Sequence, residues 1–129
     1  MKYMLMMHCP KTGYESFGAW PKQDIQAHIN FMQSLNKQLH ASGEFVSAEG
    51  LASPQEAKLV KAGKNGTPDT DGIFAESKEF LAGYWIVEVP NAERAYALAA
   101  QVSAAPGPGG RPMYMSLEVR QVMCAPPEV

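Results

Sequence analysis

From Phe80 to Val89 the chain reads Phe-Leu-Ala-Gly-Tyr-Trp-Ile-Val-Glu-Val, apolar at odd and even positions alike except at Glu88. Such a β-branched and aromatic run is a strand, and one that can leave neither face in water. Met1 to His8 has the same character. As a strand it puts Tyr3, Leu5 and Met7 on one face and Met4, Met6 and His8 on the other. A layer of helices covers only one face of a sheet. The two segments together therefore require a second cover, most simply the sheet of a partner copy.

The rest of the chain supplies the helices and the remaining strands. Pro21 suits the first turn of a helix, and Ile25, His28, Ile29, Met32, Leu35, Asn36 and Leu39 recur at helical spacing until Gly43 offers a stop. Phe45 to Ala48 reads as a short strand running into Glu49-Gly50-Leu51 and broken by Ser53-Pro54. Asn65-Gly66, between Lys58–Lys61 and the run from Thr67, predicts a small hairpin, and Pro68 confines it to an edge. Asn91 offers an N-cap for a second helix with the stripe Ala95, Leu98, Ala99 and Val102. Met113, Met115, Leu117 and Val119 alternate with Tyr114, Ser116, Glu118 and Arg120 as a last strand, after which the tail from Ala125 should fray. Cys9 to Gly18 has no periodicity and reads as a loop. The resulting order β-α-β-(hairpin)-β-α-β is a ferredoxin-like α+β arrangement, with an antiparallel sheet, helices on one face and an extra hairpin before the third core strand. A chain of 129 residues is expected to form one domain, spanning residues 1–129.

Charge and cysteine usage exclude several classes of function. Eleven basic against thirteen acidic residues give a net charge of −2 without any Lys/Arg run, which argues against a nucleic-acid partner. No apolar run approaches the roughly 18 residues of a membrane span, and the apolar opening stops at His8, too short for a signal peptide. The expected setting is cytoplasmic, with no membrane partner. Two cysteines are too few for a disulfide scaffold and lack metal spacing. The expected strand directions put Cys9 and Cys124 roughly 20 Å apart, beyond the reach of about 7 Å that a disulfide requires.

Asp71-Gly72 is a dipeptide suited to a tight turn, and the charged stretch Asp71-Gly72-Ile73-Phe74-Ala75-Glu76-Ser77-Lys78-Glu79 leads directly into the strand at Phe80. This stretch resembles the signature of the YCII-related, DGPF-type family, in which Asp-Gly-Pro-Phe is followed by Ala-Glu-Thr-Lys-Glu. Met1-Lys2-Tyr3-Met4-Leu5, Glu49-Gly50-Leu51 and Leu117-Glu118-Val119-Arg120 resemble the same family in the same order. Ile73 stands where the motif has Pro, which removes a fixed φ from the turn. The resemblance implies a ferredoxin-like fold paired face to face as a homodimeric α+β barrel. It also implies a helix-one His paired with an Asp, matched here by His28 and, among the acidic residues, by Asp71. Members of this family are largely uncharacterised, and some are encoded beside sigma factors of the extracytoplasmic-function class.

In the expected topology His8, His28, Glu49, the Asp71–Lys78 segment and the Gly107–Gly110 loop converge at one end of the sheet, a pattern suited to a pocket for a small molecule. His28 and Asp71 are the candidate catalytic pair, since an imidazole beside a carboxylate can shuttle a proton without a cofactor. His8, Glu49, Glu76 and Lys78 are candidate ligand-binding residues. Plainer roles compete for each: packing for His28, turn formation for Asp71, solvation of the turn for Glu76 and Lys78. His8 and His28 lack a third metal ligand at recognisable spacing, so no metal is expected. The Pro106–Gly110 loop precedes a strand and lacks the Lys-Ser/Thr of a phosphate-binding loop, so it reads as a connector that can double as a pocket rim. Cys9 has no base beside it in sequence. Two functions fit these residues: a cofactor-free small-molecule enzyme using a His/Asp acid-base pair, or a dimeric ligand-binding or regulatory module without catalysis.

Overall fold

A computed structural model of the chain describes residues 1–72 and 79–123. The elements in order are β1 (Lys2–Cys9), α1 (Lys11–Phe17), α2 (Lys22–Ser42), β2 (Phe45–Gly50), β3 (Lys58–Ala62), β4 (Pro68–Gly72), β5 (Phe80–Glu88), α3 (Ala92–Ser103) and β6 (Leu117–Gln121). The long apolar segments become β5 and β1, which pair antiparallel as the two central strands of a four-stranded sheet ordered β2-β5-β1-β6. With α2 linking β1 to β2 and α3 linking β5 to β6, this is the ferredoxin-like arrangement that the element order implied.

The helical side of the sheet carries the core. Tyr3, Leu5, Trp85 and Val87 meet Leu35 and Leu39 of α2 and Ala95, Leu98, Ala99 and Val102 of α3. Leu5, Val87, Leu98 and Val102 are fully buried, each contributing about 1.5–3 kcal/mol relative to an exposed position. One polar link crosses this core, the Trp85 indole N–H donating to Asn36 Oδ1 at 2.9 Å, so that the indole is buried without an orphaned donor. The opposite face carries Met4, Met6, Tyr84 and Ile86, all only partly buried.

Local chemistry sets the helix ends. Gly43 adopts φ 76°, and the amides of Gly43 and Glu44 return to the carbonyls of His40 and Leu39, a Schellman stop that favours glycine. At α3 the Asn91 side chain accepts from the Arg94 amide at 2.9 Å, satisfying one of the free N–H groups of the first turn. Beside that cap, Arg94 grips Glu44 at the entrance to β2, with Nε to Oε2 at 2.8 Å and the second guanidinium nitrogen to Oε1 at 2.9 Å. This fork, with the Ser42 hydroxyl as a further donor, holds the Glu44 carboxyl below its ordinary pKa even though partial burial opposes it. Asn65 and Gly66 take φ of 64° and 75° at the tip of the expected hairpin β3-β4.

Three expectations change. Lys11–Phe17 is a helix, where absent periodicity predicted a loop; Pro10 gives it no side-chain cap, and its support is tertiary, through Phe17 against Trp20 and His28. The last strand starts at Leu117 and not at Met113, because Tyr114 adopts φ 52° and interrupts the extended backbone. On α2, Ile29 is exposed and lies off the buried stripe.

Candidate functional site

Small residues meet where β2 and β1 end and β5 begins. Gly50 pairs with Gly83, and a Cβ built on Gly83 would stand 2.8 Å from the Glu49 carbonyl oxygen, so only glycine lets β2 approach here. Next to it β1 is irregular. Met7 pairs with Gly83 but His8 pairs with Leu81, passing over Ala82. Met7, His8 and Cys9 all line one cavity of about 440 Å³ at this end of β1.

α1 and the first turns of α2 wall this cavity with rings. Phe17 and Trp20 meet edge to face with centroids 4.9 Å apart, and His28 stands edge-on to both at 5.6 and 5.9 Å. Met113 and Met115 cover the side toward β6. A smaller hollow of about 230 Å³ has Met7, Met32, Asn36, Glu49 and Trp85 in its lining. His28 borders both spaces.

His28 is oriented by the backbone. Its Nδ1 is 3.0 Å from the Pro106 carbonyl oxygen. A carbonyl only accepts, so Nδ1 carries the proton, and in the neutral imidazole the lone pair is on Nε2. Among the described residues Nε2 has no hydrogen-bond partner. The loop holding that carbonyl is itself fixed: Pro106 bridges to Pro112, the Gly107 amide donates to the Arg111 carbonyl at 2.7 Å, and the Gly109 amide donates to Asp24 Oδ2 at 3.1 Å. Gly109 and Gly110 supply the positive φ this turn needs.

The predicted residues distribute unevenly. His8 and His28 share the larger cavity, and Glu49 joins His28 at the smaller. His8 also lies 4.0 Å from Glu118 Oε1, a contact that becomes an ion pair on protonation. Asp71 stands elsewhere. It is exposed on β4 opposite Leu59, beside a separate hollow with Val60, Lys61 and Asp69. Glu76 and Lys78 lie outside the described residues, as does Cys124. Phe17 and Trp20 were missed by the sequence reading, as was Cys9 as part of the cavity wall; Pro106 lies in the loop read as a pocket rim, but its carbonyl was not expected to orient His28. The available signal was Trp20, an aromatic just ahead of the helix that carries His28.

Cys9 is a free thiol at the cavity wall. Burial, reinforced by the charge of Glu79, pushes its pKa up, so it is held as a thiol and not as the nucleophilic thiolate. Among the described residues no three His, Cys, Asp or Glu side chains gather in a way that could hold a metal ion. A larger hollow of about 590 Å³ lies between α2 and α3, but Asn30, Ser34, Gln38 and Gln101 supply its polar lining and it has no titratable side chain. Of these hollows, only the two bordered by His28 have an imidazole in the wall.

The model of the YCII-related domain matches residues 1–109. The chain belongs to the YCII-related family. The match spans the β1 irregularity, Phe17, Trp20, His28 and Pro106, while Met113 and Met115 of the cavity wall and Arg111 and Pro112 of the loop lie beyond it. Comparison with curated proteins returns no match. No helix among the described residues of this YCII-related chain is long and apolar enough to cross a membrane.

Proposed function

We propose that this YCII-related protein is a cofactor-free small-molecule enzyme in which His28 takes up and returns a proton through Nε2. The observation that carries the reading is the bond from Nδ1–H to the Pro106 carbonyl. It fixes one tautomer and leaves the basic nitrogen unpaired on a residue that borders a cavity. This is the requirement for a general base: a lone pair held in place beside a substrate space. The carbonyl fills the orienting role usually given to a carboxylate, so the reading does not require Asp71. His8 and Glu49 serve as polar contacts at the two ends of the space. The working unit is a homodimer joined through the sheet face of Met4, Met6, Tyr84 and Ile86, whose apolar character supports the pairing.

The experiment is a panel of small molecules with acidic C–H groups or lactone rings, incubated with the protein in D₂O and followed by proton NMR. Exchange or conversion by the wild type that disappears in His28→Gln supports the proposal. Compounds that bind and are never exchanged or converted would establish the alternative, a ligand-binding or regulatory module.

A further inference from the structure

We infer that the ligand of the His28 cavity is an uncharged, largely apolar molecule built on a ring, presenting one hydrogen-bonding group to Nε2; this rests on the proposed role of His28. The wall is built for such a ligand. Phe17, Trp20 and His28 form a corner of three rings set edge to face at 60°, 68° and 85°, leaving flat surfaces against which a ring can stack. Met7, Met113 and Met115 add polarizable thioethers that adapt to an aromatic or alicyclic outline. The volume of about 440 Å³ falls in the usual range for small-molecule sites.

Charge decides between ligand classes. Among the described residues lining this cavity there is no Lys or Arg, so a carboxylate or phosphate would lose its hydration with no cation to replace it. The nearby acids deepen that disfavour. Glu79 acts on the Cys9 thiol, and Glu118 stands beside His8. Neither carboxylate lines the cavity itself, so a cationic ligand gains no direct partner there. The polar side chains of the lining are those of His28, His8, Cys9 and Ser16, and of these the Ser16 hydroxyl already donates to the Gly13 carbonyl and the Cys9 thiol to the Pro10 carbonyl. These suit a ligand whose only polar demand is a hydroxyl or an enolic O–H.

Three probes of one shape test this on the full chain: a naphthol, the matching naphthoate and the matching naphthylmethylammonium, titrated by calorimetry with the Trp20 indole N–H followed by NMR. The expected result is naphthol binding about tenfold or more tighter than either ion, with the Trp20 resonance shifting. Trp20→Leu should lose most of that affinity, and Phe17→Leu should weaken it independently. Equal or tighter binding of naphthoate or of the ammonium at the Trp20 resonance overturns the inference, as does absence of naphthol binding at millimolar concentration. The two readings fail separately. A naphthoate preference with His28-dependent turnover would remove the ligand class and keep the proton chemistry. Naphthol binding with turnover unchanged in His28→Gln would do the reverse.

Discussion

The ring nitrogen Nδ1 of His28 and the carbonyl oxygen of Pro106 stand 3.0 Å apart across 78 residues of sequence. That bond dictates the tautomer, and nitrogen-detected NMR reads it directly. With the imidazole neutral, Nδ1 is expected to show the pyrrole-type shift and Nε2 the pyridine-type shift. A pyrrole-type Nε2 would mean that the carbonyl does not orient the ring.

Gly83 is the position where a single methyl group does the most harm. Its Cβ would press on the Glu49 backbone, which cannot rotate away as a side chain can. Gly83→Ala is expected to destabilise the protein by about 1–3 kcal/mol, measured by urea unfolding, and to disturb the amides of Glu49 and Gly50. A variant as stable as the wild type would show that β2 and β5 are not this close.

The Cys9 thiol should resist alkylation. Its raised pKa keeps the thiolate scarce at neutral pH, so iodoacetamide is expected to modify the native protein more slowly than the urea-unfolded chain. Gly13 packs against the sulfur so closely that an added Cβ would run into it. Gly13→Ala should therefore cost stability in the wild type but stabilise a Cys9→Ala background by about 0.5–1 kcal/mol, the ordinary gain of alanine over glycine within a helix.

Arg94 and Glu44 fasten α3 to the start of β2. The Glu44 side chain is 13% exposed and that of Arg94 41%, so solvent weakens the pair, and Arg94→Met is expected to cost about 1 kcal/mol at neutral pH. The carboxyl is held below its ordinary value in the fold. The stabilisation is therefore full above the unfolded carboxyl pKa of about 4.3 and is lost as pH falls through the lower folded value. Wild type and variant should converge in stability in acid. A difference that persists there would point to packing of the arginine stem.

The open face of the sheet predicts association. Sedimentation of the wild type should give a dimer, and Met6→Glu, which puts a charge at the centre of that face, should give a folded monomer. A wild-type monomer at micromolar concentration would remove the dimer from the proposal.

Much of this fold was legible in the sequence because the two central strands and the two long helices write their burial into simple periods. Leu35 with Leu39, and Leu98 with Val102, fall where helical spacing puts them. α1 was not legible, since its support comes from Phe17 meeting rings on the following helix. The candidate site was legible in part. His28, His8 and Glu49 follow from strand direction and element ends, which the topology determines. The bond that makes His28 chemically specific comes from a main-chain oxygen, and no side-chain pattern encodes it. Asp71 follows the hairpin, whose course relative to the sheet no periodicity in β3 or β4 specifies.

The irregularity between Met7 and His8 makes the cavity sensitive to chain length as well as to composition. Up to Met7 the positions paired between β1 and β5 keep one offset, and from His8 onward they keep another, with Ala82 taking up the difference. Removing Ala82, or adding one residue after Met7, would bring the two halves into a single register: the insertion would send His8 and Cys9 to the opposite sides of the sheet from those they occupy, and the deletion would do the same to Leu81 and Phe80 of β5. No side chain named in the site would have been replaced, yet the insertion would dismantle its polar wall. Substitutions can erode this cavity gradually, whereas an insertion of one residue at that point would remove it in a single step.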